Sequence, residues 1–186
     1  MSPFTAPVTV QTPRLTLRRH TADDAKEIFE TYAQDPEVTR FLTWAPHRSL
    51  DDTHAFLAYC EHAWERRTAY PWLITRREDA RIAGSIELRR DGAHRIEVGY
   101  AVARPMWGRG YATEAVRVVL ALALLAPSIH RVWACVDLAN VASARVLEKA
   151  GFAREATLRK WYVPTGFGVP RDVACYAALS SRQGEA

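Results

Sequence analysis

Six residues, Trp107-Gly-Arg-Gly-Tyr-Ala112, constrain this chain more tightly than any other stretch. They separate an extended apolar run, Ile96 to Val102, from a long alanine- and leucine-rich run, Thr113 to Ala126. The order is strand, glycine turn, helix start, and that order builds an anion site. The first N–H groups of a helix lack intrahelical partners, and the helix dipole adds partial positive charge at the same end. Gly108 and Gly110 let the backbone approach a ligand that a Cβ would push away. Arg109 adds a mobile cation. Such a turn suits a phosphate or pyrophosphate, although a tight strand-to-helix connection without a ligand has the same local pattern.

The neighbouring residues narrow the guest. The dinucleotide fingerprint needs a third glycine and an acidic residue about 20 residues further on. Ala112 and Thr113 stand here instead, and no Walker-type Gly-Lys-Ser/Thr is present. The expected ligand is a phosphate-bearing cofactor other than NAD or a P-loop nucleotide.

A chain of 186 residues fits one domain with a real core. Its 48% hydrophobic and 25% charged content is that of a soluble globular protein. No apolar stretch reaches the roughly 20 residues of a transmembrane helix. The richest, Ala115 to Ala126, is interrupted by Arg117 and ends at Pro127. The N-terminus lacks a charged-then-apolar signal pattern, so a cytoplasmic protein with no membrane partner is expected. Cys60, Cys135 and Cys175 are widely separated and form no CxxC pair, which argues against a disulfide framework or a zinc site. Cys135 lies in a predicted strand and reads as a buried small hydrophobe. The histidines lack metal spacing, and no metal site is expected. The formal net charge is +4, and arginine carries it, since the only lysines are Lys26, Lys149 and Lys160. That excess suits an anionic cofactor but is too small and dispersed to argue for nucleic acid.

Along the chain, residues 1–12, with Pro3 and Pro7, read as a loose leader. Arg14 to Arg19 alternates as a strand. Thr21 and Asp24 form a capping box for a helix to about Ala33, and Ser49 and Asp52 cap a second to about Arg67. Asp35-Pro36 opens a short turn or helix. Tyr70–Arg76 and Arg81–Arg90 form a hairpin through Glu78-Asp79, and Asp91-Gly92 turns into a strand from Arg95 to Ala103. After the glycine turn a helix runs to Leu125, then an apolar strand from Arg131 to Asp137. Asn140 caps a helix to Ala150, ended by Gly151. Two strands close the domain, Arg154–Val163 and Asp172–Leu179. The hairpins favour antiparallel pairing, and the strand–helix–strand from Arg95 to Asp137 favours one parallel crossover. The expectation is a single α/β (α+β) domain over residues 13–180, with a 181–186 tail. Its mixed, mostly antiparallel seven-stranded sheet would be flanked by about four helices.

Three blocks resemble the GNAT N-acetyltransferase superfamily, and within it the ribosomal-protein N-terminal acetyltransferases, the Rim group. They are Ile96-Glu-Val-Gly-Tyr-Ala-Val102, Trp107-Gly-Arg-Gly-Tyr-Ala-Thr-Glu-Ala115 and Asn140-Val-Ala-Ser-Ala-Arg-Val-Leu-Glu-Lys-Ala-Gly-Phe152. The resemblance spans about Thr12 to Leu179. It implies acetyl-coenzyme A as donor, with its pyrophosphate on the turn Gly108, Arg109, Gly110, Tyr111 and Ala112. Trp107 stands where the superfamily commonly has Gln or Arg, which puts a side-chain phosphate contact there in doubt. The strand around Val102 would pair through its backbone with the pantetheine arm, and a backbone N–H there would polarise the thioester carbonyl. Asn140 would contact the cofactor arm; as a helix N-cap it has a structural role too.

Glu97 is the candidate general base. An acceptor ammonium must lose a proton before it attacks, and a carboxylate can collect it directly or through water. The bland alternative is a solvent-facing strand glutamate. Ser143 lies one helical turn from Asn140. Many superfamily members carry a tyrosine at the place of Leu147, where it protonates the departing thiolate; the Rim branch is similar in using a serine at the place of Ser143. The structural alternative is a local backbone hydrogen bond. Trp44, His47, Trp72, Trp161, Tyr162 and Phe167 fall in segments that flank the acceptor cleft in the family. The implied activity is acetyl transfer from acetyl-coenzyme A to a primary amine by direct attack. A peptide or protein N-terminus is the first acceptor and a small amine (amino acid, polyamine, antibiotic) the second. A non-catalytic acyl-coenzyme-A-binding module is the rival class. The resemblance leaves room for a homodimer.

Overall fold

Eight segments pair into one sheet in a computed structural model that describes residues 4–164 and 167–181. They are β1 (Thr9–Gln11), β2 (Leu15–Arg18), β3 (Ala69–Arg76), β4 (Ile82–Asp91), β5 (Arg95–Val102), β6 (Arg131–Asp137), β7 (Ala153–Tyr162) and β8 (Arg171–Leu179). Their order is β1-β2-β3-β4-β5-β6-β8-β7. Neighbours are antiparallel except β5 and β6, which are parallel. Parallel neighbours need a crossover, and helix α4 (Tyr111–Leu125) supplies it.

The eighth strand, β1, lies in the stretch that reads as a loose leader. That reading is corrected by burial: Phe4 and Ala6 sit in the core. The Phe4 ring meets Tyr70 edge-on at 5.4 Å, and the Tyr70 hydroxyl donates to the Phe4 carbonyl at 2.9 Å. Trp72 Nε1 donates to the Pro7 carbonyl at 3.1 Å. Two aromatics of β3 thus hold the segment down, and the ordered chain starts ahead of residue 13. Residues 182–186 of the expected tail lie outside the described residues.

The expected helix from Ala22 to Ala33 has three windings: a 3-10 turn (Ala22–Asp24), α1 (Ala25–Ile28) and a π turn (Phe29–Ala33). The box that starts it forms, with Thr21 N–H donating to Asp24 Oδ2 at 2.7 Å. A short α2 (Pro36–Thr39) follows, capped by Asp35, which accepts from Glu37 N–H at 2.9 Å. At α3 (Leu50–Arg66) the expected Ser49 cap is absent. Asp52 instead accepts the Arg48 N–H at 2.9 Å, because the Arg48 guanidinium also turns towards it. α5 (Val141–Ala150) ends on Gly151 in the left-handed region, φ 103°. Among the described residues five α-helices therefore stand where about four were expected.

Each face of the sheet has its own core. α4 and α5 cover one, over Trp72, Leu88, Ile96, Val98, Val132 and Leu147. α1 and α3 cover the other, over Ile28, Tyr32, Leu57 and Leu73. Gly84 of β4 lets β5 come close: a Cβ there would lie 2.1 Å from the Ala101 carbonyl oxygen. β5 and β6 pair only from Arg95 to Glu97, opposite Arg131 to Trp133, and then part. That fork in the sheet positions the site.

Candidate active site

The fork and the glycine turn adjoin. Ala103 N–H donates to Ala83 O at 2.9 Å, and alternate residues of a strand aim their peptide groups at opposite neighbours. Those of Val102 and Tyr100 therefore face the fork. The Val102 carbonyl is partly engaged, since Trp107 Nε1 donates to it at 2.7 Å. Just after Trp107 the backbone bends through Gly108 (φ 75°) and Gly110 (φ 79°), a left-handed region costly for any residue with a Cβ. Gly110 is the N-cap of α4 and offers no side chain to the first N–H groups. They are left for an anion. Arg109 is exposed beside them, whereas Tyr111 is buried and contributes only its backbone.

Glu97 stands where the strands part. The register places Arg89 opposite Glu97 and Glu87 opposite Gly99, so these side chains share one face. Arg89 joins the two carboxylates, with Nη2 at 2.8 Å from Glu87 Oε2 and Nη1 at 3.1 Å from Glu97 Oε2. Tyr59 of α3 donates to the other oxygen of Glu87. Burial pushes the Glu97 carboxyl above its ordinary value; Arg89 opposes that shift and Glu87 adds to it. Glu97 is thus not a free surface glutamate: it is partly buried and paired with Arg89.

These groups open into a cleft of ≈ 920 Å³. Trp44, His47, Trp161 and Tyr162, which fall in segments that the family resemblance implied, line it. The Tyr162 hydroxyl donates to the Phe41 carbonyl at 3.1 Å and ties the end of β7 to the loop after α2. Phe167 stacks on Phe41 with ring centroids 6.1 Å apart. Burial lowers the His47 pKa, so its ring is neutral at pH 7. Trp72 does not belong here: it is wholly buried on the opposite face, beneath the N-terminal segment. Cys135, expected in the core, is half-buried and lines the cleft.

Ser143 sits on α5, on the other side of the sheet. Asn140 Oδ1 accepts the Ser143 N–H at 3.1 Å, which gives Asn140 its cap role. The Ser143 hydroxyl lies 2.8 Å from Tyr100 OH, and the same phenol donates to the Ser143 carbonyl at 3.2 Å. Burial pushes the Tyr100 phenol up to about 12, so it stays protonated. Tyr100 lines the cleft and Ser143 does not. The structure therefore joins Glu97 to the cleft directly and Ser143 to it through Tyr100.

Tyr100, Arg89, Glu87 and Tyr59 were missed as site residues. The Arg89–Glu97 pair follows from counting outward from the Asp91-Gly92 turn once an antiparallel hairpin is assumed. Tyr59 and Tyr100 carry no such signal, because their partners lie on distant elements.

The residues fit acetyl-coenzyme A. A glycine-capped helix start without a side-chain cap suits the pyrophosphate, and an unpaired strand edge beside it suits an amide-bearing arm. The comparisons agree. The acetyltransferase (GNAT) domain model matches residues 14–153, so the chain belongs to the GNAT family. The uncharacterized N-acetyltransferase YoaA of Bacillus subtilis (strain 168) is 29% identical over 176 residues, covering 94% of this chain and 98% of YoaA. The microcin C7 self-immunity acetyltransferase MccE, solved with acetyl-CoA and AMP, superposes with a TM-score of 0.85 at 19% identity, over 94% of this chain and 97% of MccE. RimL, the ribosomal L7/L12 α-N-protein acetyltransferase solved with coenzyme A, does so with a TM-score of 0.81 at 18% identity, over 93% and 96%. The protein is an acetyl-coenzyme-A-dependent acetyltransferase. Among the described residues, no group of three or more His, Cys, Asp or Glu side chains could hold a metal ion, and no helix is long and apolar enough to cross a membrane.

Proposed function

We propose that this enzyme acetylates the α-amine of a peptide or protein N-terminus, in the manner of the Rim group, with Glu97 as general base and Ser143 as the group that receives the thiolate. The observation that carries the reading is Glu97 itself. It is a half-buried carboxylate at the fork, open to a cleft of ≈ 920 Å³ with aromatic walls. A terminal amine with a pKa near 7.7–8.0 is partly neutral at pH 7, so a carboxylate of raised pKa suffices to take its proton. The neutral amine attacks the thioester carbonyl, a C–N bond forms and the C–S bond breaks. Backbone N–H groups of the β5 edge around Val102 polarise the carbonyl. The Ser143 hydroxyl donates to the sulfur as it leaves, while Tyr100 OH turns its proton from the Ser143 carbonyl to Ser143 Oγ. The turn from Gly108 to Ala112 holds the pyrophosphate, with Arg109 over it, and Asn140 flanks the arm. Trp107 braces the edge by holding the Val102 carbonyl.

A second observation favours a small cationic amine. Glu87 adds another carboxylate to the same wall, only partly offset by Arg89. An acetylation screen separates the two. With acetyl-coenzyme A in excess, ribosomal-protein N-terminal peptides should give the higher kcat/KM. Faster turnover of polyamines or free amino acids would replace the peptide reading with the small-amine one.

A further inference from the structure

The donor turn is held from behind by a residue far away in sequence. Arg14, next to β2, donates Nη1 to the carbonyl of Arg109 at 2.9 Å. Its Nε reaches Glu114 Oε2 at 2.7 Å, and its backbone N–H reaches Glu114 Oε1 at 2.9 Å. Thr12 donates to the same Oε1 at 2.6 Å. The guanidinium also lies over the Tyr111 ring, 4.9 Å from its centroid. Glu114 is in the first turn of α4, so Arg14 grips both the turn and the helix that follows. Burial pushes the Glu114 carboxyl up, but the hydrogen bonds from Thr12 and Arg14 outweigh it and keep the group ionised.

The carbonyl that Arg14 holds matters because a peptide unit is planar and trans. The C=O of Arg109 and the N–H of Gly110 point in opposite directions. With the carbonyl fixed backwards on Arg14, the Gly110 N–H is fixed forwards, into the open end of α4. Glycines on both sides of Arg109 make that peptide unit easy to flip, so something must hold it.

We propose that Arg14 is a positioning residue for the donor: it sets the direction of the Gly110 peptide and thereby shapes the pyrophosphate cradle. The inference rests on the donor site assigned under the proposed function. Arg14 acts through the turn, so its effect should depend on the part of the donor that the turn receives.

Calorimetry with coenzyme A and with pantetheine, which lacks the pyrophosphate, tests this in the wild type, Arg14→Gln and Arg14→Lys. Arg14→Gln should weaken coenzyme A binding about 10-fold, the scale of one lost charge-assisted hydrogen bond, and leave pantetheine binding unchanged. Arg14→Lys keeps the charge beside Glu114 but cannot make both contacts, and should fall between. Equal losses for both ligands would make Arg14 a general fold contact and overturn the proposal, as would wild-type coenzyme A affinity in Arg14→Gln. If Arg14→Gln does not fold, Arg14→Lys decides by the same comparison. Should the wild type itself bind coenzyme A no more tightly than pantetheine, the cradle assignment fails, which is a different outcome from failure of the clamp.

Discussion

Glu97 shows how burial and charged neighbours set one proton affinity. Burial raises it, Arg89 lowers it and Glu87 raises it again. As a base Glu97 must be ionised, so kcat/KM should fall as pH drops through its pKa. That acid limb should lie above the usual glutamate value of about 4.3. Arg89→Ala removes the cation that favours the ionised form. The limb should then move to higher pH and the rate at pH 7 should drop; an unmoved limb in a pH–rate profile would disconnect Arg89 from the base. Ser143 is argued at the same scale. Ser143→Ala should lower kcat by roughly 10–100-fold with little change in coenzyme A affinity, since a thiol of pKa about 8.5 leaves with modest help. Tyr100→Phe should reproduce part of that loss and add little to it in the double mutant, because both act on one hydroxyl. A normal turnover rate in Ser143→Ala would reduce the residue to a helix contact. Glu97 and Ser143 could be named as candidates from the sequence because each belongs to a contiguous motif of the family it resembles. Arg89, Tyr59 and Tyr100 become meaningful only through register and cross-sheet packing, which no single window of sequence contains.

At the scale of elements, the sequence pattern located β3 to β8, α4 and α5 to within about a residue, because periodicity and glycine or proline boundaries coincide there. It misread residues 4–11, where prolines mask an apolar segment that only tertiary burial orders. It also misread Ser49, whose cap role is displaced by the Arg48–Asp52 pair. The start of α5 depends on a long-range pair. Asp137 closes β6 and is buried; Arg171 of β8 grips both of its oxygens, one at 2.9 Å. Asp137 also accepts the Ala139 N–H at 2.8 Å, three residues before α5 proper begins to turn on Asn140. The Arg171 hydrogen bonds hold its carboxyl below the usual range, against burial. A depressed carboxylate adds stability that is present above its unfolded pKa, near 3.9, and is lost as pH falls through the folded value. Asp137→Asn should therefore lower Tm at pH 7, by about 1–3 kcal/mol of stability, and the difference from wild type should shrink below pH 4. Melting curves showing a constant difference across that range would assign the loss to packing instead of charge.

At the scale of the whole molecule, one topological event builds the site. A single parallel pair in an otherwise antiparallel sheet forces the α4 crossover, and the crossover brings a helix N-terminus beside the strand edge that the fork exposes. In the function proposed above, the donor half lies on the α4 side and the acceptor cleft on the α3 side. Acetyl-coenzyme A, bound across that junction, should raise Tm by mass action. Gly110→Asp should abolish the rise, since φ 79° is strained for any residue with a Cβ and the new side chain would start 3.5 Å from Arg14 Nη2, its carboxylate drawing that guanidinium off the turn; an undiminished thermal shift in that variant would remove the turn from the donor site.

The central claim is that Glu97 deprotonates the acceptor at the fork. It is tested most directly by comparing kcat/KM of the wild type and Glu97→Gln with acetyl-coenzyme A and a peptide amine across pH 6 to 9. Glu97→Gln should bind coenzyme A normally and lose about 10²–10⁴-fold in kcat/KM at pH 7, the usual worth of a general base. The deficit should narrow as pH rises and the amine becomes neutral without help. Wild-type kcat/KM in Glu97→Gln at pH 7 would contradict the account.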